Sequence, residues 1–117
     1  MSGERSPMDE AIHDLIDANA RARAQLDATD AMLQRGIDHL RAGGGVVDAL
    51  RLLPIAQRRQ STQDAFQEVI LARHRLRLRA ISACTEHGLS PARIAEIWGV
   101  SRQRVVQFVA EARKQAN

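Results

Sequence analysis

Apolar residues recur at alternate steps of three and four from Ile12 to Leu40, with polar and charged residues between them, and this period predicts one long amphipathic helix. The stripe reads Ile12, Leu15, Asn19, Ala22, Leu26, Thr29, Leu33, Gly36 and Leu40, a heptad pattern that Met8, Ile16 and Ile37 widen. Ser6, Pro7 and Asp9 mark its start, as a hydroxyl cap, a proline suited to the first turn and an acid near the positive helix end. Gly43, Gly44 and Gly45 end it. A helix of about 35 residues spans roughly 50 Å at 1.5 Å per residue, so its apolar face needs a partner. The expectation is a long N-terminal helical hairpin over residues 1–60 that dimerises, with the polar Asn19 setting register in the seam.

Val46 to Leu53, reading VVDALRLL, then predicts a short amphipathic helix that stops before Pro54. Ser61, Thr62, Gln63 and Asp64 read as a capping box, launching a helix through Phe66, Ile70, Leu76, Ile81 and Cys84 to Gly88. Within it, RHRLRLR at 73–79 alternates as a strand would, but its flanks are helical in pattern and rich in good helix formers. On a helix, Arg73, Arg75, Arg77 and Arg79 spread over several faces, some free to reach phosphates and others to pair with acids.

The segment 91–109, PARIAEIWGVSRQRVVQFV, fits two helices about a tight turn. Gly99 is the turn residue, because glycine reaches the left-handed backbone without a Cβ penalty. Ile94, Trp98, Val100, Val105 and Phe108 then converge on one apolar seam, with the small Ala95 where the helices cross. Ser90 before Pro91 suits a capped start to the first helix, and Ser101 can cap the second. Outside the seam the second helix is left with Arg102, Gln103, Arg104, Val106 and Gln107. An arginine can give guanine two hydrogen bonds, a glutamine can pair with adenine, and a valine methyl can meet that of thymine. Ser101 and the amides of the first turn suit a phosphate. No acidic residue lies between Gly99 and Ala110.

The stretch IAEIWGVSRQRVVQFVAEAR resembles the helix-turn-helix of region 4 in bacterial sigma factors and related small regulators, over residues 75–114 at most. The resemblance implies that the second helix enters the major groove of double-stranded DNA. By position it puts Arg102, Gln103, Val106 and Gln107 on bases and Ser101, Arg104 and Arg93 near the phosphate backbone, with Ser90 completing the candidate DNA-binding set. The N-terminal two-thirds does not resemble a sigma factor, since it has no aromatic-rich promoter-melting segment.

Composition narrows the remaining options. Aromatics are 3% of the 117 residues, with no Tyr, one Trp and two Phe, so a core must come from Leu, Ile, Val and Ala, which favours helices over a sandwich or barrel. The lone Cys84 allows no internal disulfide and no zinc cluster, and reads as a small core residue. His13, His39, His74 and His87 are scattered without ligand spacing, and no nucleophile stands beside a base, so neither enzyme activity nor a cofactor or metal is expected. No apolar run reaches the roughly 18 residues of a membrane span, and MSGERSPMDE lacks a signal-peptide core, which predicts a cytoplasmic protein with no membrane partner.

Charge is uneven along the chain. Residues 1–50 hold five Arg against nine acids, net −4, whereas residues 51–117 hold eleven Arg and one Lys against five acids, net +7. A basic end that coincides with the two-helix motif fits nucleic-acid binding. The whole predicts an all-α chain, with residues 1–60 a dimerising helical region and 61–117 a three-helix helix-turn-helix unit, acting as a sequence-specific bacterial transcription regulator and homodimer. Two alternatives stay open: an interaction module whose acidic arm binds RNA polymerase or a sigma factor, and an architectural DNA-coating protein.

Overall fold

The computed structural model describes residues 6–116, and these form helices without strands. In chain order they are α1 (Pro7–Arg41), α2 (Val46–Arg51), α3 (Ile55–Glu86), α4 (Pro91–Trp98) and α5 (Arg102–Ala116). The all-α expectation therefore holds. By contacts the chain divides into two compact units, one of Ile16–Ile70 and one of the described parts of Met1–Leu15 and Leu71–Asn117.

α1 starts as its sequence signals, with the Ser6 hydroxyl accepting from the Asp9 amide at 3.1 Å and Pro7 in the first turn. It ends at Arg41, and the glycines that follow reverse the chain, with the Gly44 amide donating to the His39 carbonyl at 2.9 Å. Its inward stripe keeps Leu15, Ala22, Thr29 and Gly36 and is corrected by one position at the other five. The side buried or half-buried runs through Ala11, Leu15, Ala18, Ala22, Gln25, Thr29, Met32, Gly36 and His39, while Ile12, Leu26, Leu33 and Leu40 are exposed. Ala11 and Ala18 take the inside in place of Ile12 and Asn19, and Gln25, Met32 and His39 take it in place of Leu26, Leu33 and Leu40. Gly36 makes room for the segment between α2 and α3, since a Cβ there would stand 3.2 Å from Leu53 Cδ2.

Within the unit 16–70, α1 and α3 run antiparallel. Arg21 Nε donates to Glu68 Oε2 at 2.7 Å, and Arg58 donates to Gln25 Oε1 at 2.8 Å. Ala65 on α3 is buried as well, so this pairing is built on alanines.

The helix start expected at Ser61 is also corrected, because α3 begins at Ile55, directly after Pro54. The Pro54 carbonyl accepts the Arg58 amide at 3.0 Å, so the proline opens the helix as well as closing the segment before it. Ser61 and Thr62 lie inside α3, and their hydroxyls donate back to the Gln57 and Arg58 carbonyls at 3.2 and 2.9 Å. Inside a helix a hydroxyl can donate to the second lone pair of the carbonyl four residues back, beside the backbone bond, as readily as at a helix start it accepts from an amide, which is why the same letters fit both roles. The boundary drawn at residues 60 and 61 thus falls inside one continuous helix. RHRLRLR is helical, as its flanks required.

Candidate nucleic-acid interface

Local chemistry sets α4 and α5 individually. The Ser90 hydroxyl accepts the Arg93 amide at 3.2 Å, with Pro91 in the first turn of α4. α4 stops at Gly99, which has φ 67° and ψ 31°, and the Val100 amide closes the turn on the Ala95 carbonyl at 3.2 Å. Ser101 caps α5, its hydroxyl accepting the Arg104 amide at 3.1 Å.

Packing then fixes which face of α5 turns outward. Leu78 and Ile81 of α3, Ile94 and Ala95 of α4, and Val105 and Phe108 of α5 form one core cluster, with Cys84, Leu89, Val100 and Val109 packed around it. Ile81, Ile94 and Val105 are fully enclosed. Of the five residues expected in the seam, Trp98 alone stands apart: it is exposed and lines a small cleft with Leu15, Arg73, Leu76 and Arg77. Its position at the last residue of α4 carries it past the end of the core. Cys84 is half-buried against the cluster, the small packing residue that its composition implied.

With Val105 and Phe108 held inside, Arg102, Gln103, Val106 and Gln107 are exposed on the opposite side of α5, and Arg104 is exposed at its flank. Among the described residues neither Arg102 nor Arg104 enters an ion pair. Arg104 is nevertheless oriented. Its guanidinium carbon lies 5.4 Å from the centre of the Phe108 ring, and Arg77 of α3 approaches the same ring at 5.1 Å. His74 meets Phe108 edge-on and shares a 2.7 Å contact between its Nε2 and Glu111 Oε1, joining α3 to α5 a turn further on.

Arg77 is the site residue that sequence reasoning left unassigned among four alternating arginines. Its signal was adjacency to Leu78: the residue just before a core position on α3 reaches the rim of that core. Arg93 and Ser90 lie on α4, apart from the cluster on α5. Arg93 contacts Glu96 at 3.0 Å on its own helix, an exposed pair worth under about 1 kcal/mol and therefore easily exchanged for another anion. The Ser90 and Ser101 hydroxyls accept capping amides, which leaves each hydroxyl proton free to donate.

Electrostatics favours an anion on this side. Residues 71–117 carry eight Arg and one Lys against three Glu, net +6, and the first turn of α5 holds no acid. The amides at the start of that helix add a positive dipole end to the same corner. The described residues hold no group of acids, histidines and cysteine fit to bind a metal, and no helix among them is long and apolar enough to cross a membrane. No known protein family, curated protein or solved structure matches this chain.

Proposed function

We propose that this protein is a sequence-specific regulator of transcription that binds double-stranded DNA through α4 and α5 as a helix-turn-helix. The observation that carries the reading is the outward face of α5, on which Arg102, Gln103, Val106 and Gln107 are exposed together while Val105 and Phe108 anchor the opposite side. In the major groove, Arg102 and Gln103 read base edges, the Val106 methyls meet thymine, and Gln107 extends the contact by one turn. Arg104 and Arg77, gathered at Phe108, approach phosphate, as do Ser101 and the first-turn amides of α5. Ser90 and Arg93 contact backbone from α4. Two such units related by a two-fold axis, paired through the N-terminal helical region, would read half-sites about 34 Å apart.

Selection of bound fragments from genomic DNA supplies a site, and titration of that site across salt concentrations tests the reading. Binding should weaken steeply as salt rises. Replacing Arg102 and Gln103 together by Ala should remove preference for the selected site while leaving weak general binding. Survival of site preference in that variant would end the assignment of α5 as the reading helix.

A further inference from the structure

Turning the small residues of α1 inward leaves a second stripe facing outward. Ile16, Asn19, Arg23, Leu26, Asp30, Leu33 and Ile37 follow alternate steps of three and four, so they occupy one face of the helix over about 32 Å, all exposed except Asn19, which is half-buried at its edge. Within the unit 16–70, the aliphatic members Ile16, Leu26, Leu33 and Ile37 are each more than 40% exposed. Leu33 also forms one wall of a groove of about 380 Å³ shared with Met32 of α1 and with Ile55 and Phe66 of α3, and both Ile55 and Phe66 are exposed. Exposed apolar residues gathered at Leu26, Leu33 and Ile37 beside this groove mark a contact site.

We infer that a second copy of this chain covers this face, with the two α1 helices antiparallel and the two-fold axis at Leu26. The stripe is its own complement when reversed. Counted outward from Leu26 along the stripe, Arg23 and Asp30 lie three and four residues away, Asn19 and Leu33 seven each, and Ile16 and Ile37 ten and eleven, so each pair is level to within one residue, about 1.5 Å. Apolar residues meet apolar ones at the ends and opposite charges meet near the centre. Only the Asn19 and Leu33 position is mixed. A two-fold contact repeats every pair, and therefore forms two Arg23–Asp30 pairs on either side of the axis. Both residues are exposed and enter no other ion pair among the described residues. A parallel pairing in register would instead set Arg23 against Arg23 and Asp30 against Asp30 inside an apolar seam, which like-charge repulsion disfavours.

This inference names the surface and orientation of the dimer used in the proposed function, and its test is run on the protein without DNA, so failure of one does not imply failure of the other. Sedimentation equilibrium on the full chain should show a dimer. Arg23→Asp and Asp30→Arg should each weaken self-association by roughly tenfold, since each removes two attractions and creates two repulsions. The double variant R23D/D30R should return it to within about threefold of the starting value. Far-UV circular dichroism on the same samples checks that helix content is kept. Parallel pairing predicts single variants that dimerise as the unaltered chain does, because one like-charge pair merely replaces another. That result would overturn the inference, as would a chain still monomeric at about 100 µM or a double variant no better than the singles.

Discussion

Replacing Gly99 by alanine separates backbone strain from packing at the turn between α4 and α5. The native φ is +67°, a left-handed conformation in which a Cβ crowds the following carbonyl, at a cost of about 1–2 kcal/mol. A Cβ built there meets nothing within 4 Å, so no steric clash adds to that strain. Alanine also stiffens the unfolded chain, which returns about 0.4–1 kcal/mol. The net expectation is a loss of about 1 kcal/mol, a fall in melting temperature of about 4 °C for a chain of this size. Gly99→Asn should lose about half as much, because asparagine visits the left-handed region more readily. Urea titration followed by far-UV circular dichroism measures this, read as a change in midpoint at constant slope. A loss below about 0.3 kcal/mol would mean that the turn does not need the left-handed residue, and one above about 3 kcal/mol would mean that the Cβ meets a neighbour; either refutes the reasoning.

Core and surface on α4 should separate cleanly. Ile94→Ala empties a fully enclosed site and should cost about 2–5 kcal/mol, whereas Ile97→Ala, at a position 57% exposed, should stay within about 0.5 kcal/mol in the same urea titration. The hydroxyls should separate too. Ser101→Ala removes the cap of α5 and should cost about 1 kcal/mol, while Ser61→Ala, whose hydroxyl only bonds back within α3, should be neutral or stabilising by a few tenths of a kcal/mol, roughly. Equal losses from the two would contradict the reassigned start of α3.

Some physical roles recur across the molecule with different occupants. The antiparallel α1 and α3 bury Ala18, Ala22, Met32 and Ala65, whereas the cluster under α4 and α5 relies on Leu78, Ile81, Ile94, Val105 and a single Phe, which gain by burying area. Phe108 combines two tasks. It fills that core and offers its ring faces to Arg77 and Arg104, so a residue needed for packing also orients the cations beside α5.

Legibility followed the range of the interactions involved. Ser6 with Pro7, Ser90 with Pro91, Ser101 and Gly99 are local signals, because each cap or turn satisfies amides or carbonyls no more than five residues away, and all four do what their letters promised. For the same reason the outward residues of α5 could be named from spacing, since the seam residues Ile94, Val105 and Phe108 leave only one face free. Ser61 and Thr62 misled for a related cause: a hydroxyl has two local partners, and the choice went to the carbonyl once Pro54 had already started the helix.

The sequence by itself determined an all-helical chain, the ends of α1 and α4, the start of α5, and a basic, acid-free face on α5, because periodicity, capping chemistry and formal charge belong to the chain before it folds. Only the tertiary structure decided which of two overlapping stripes on α1 turns inward, that Trp98 leaves the core, and that Arg77 joins Arg104 at one ring. Those outcomes depend on how closely a second helix can approach, and that distance is set by the pair of surfaces together. A turn of the helix by about half of one residue's 100° keeps Leu15, Ala22, Thr29 and Gly36 inside and exchanges Leu26 and Leu33 for Gln25 and Met32.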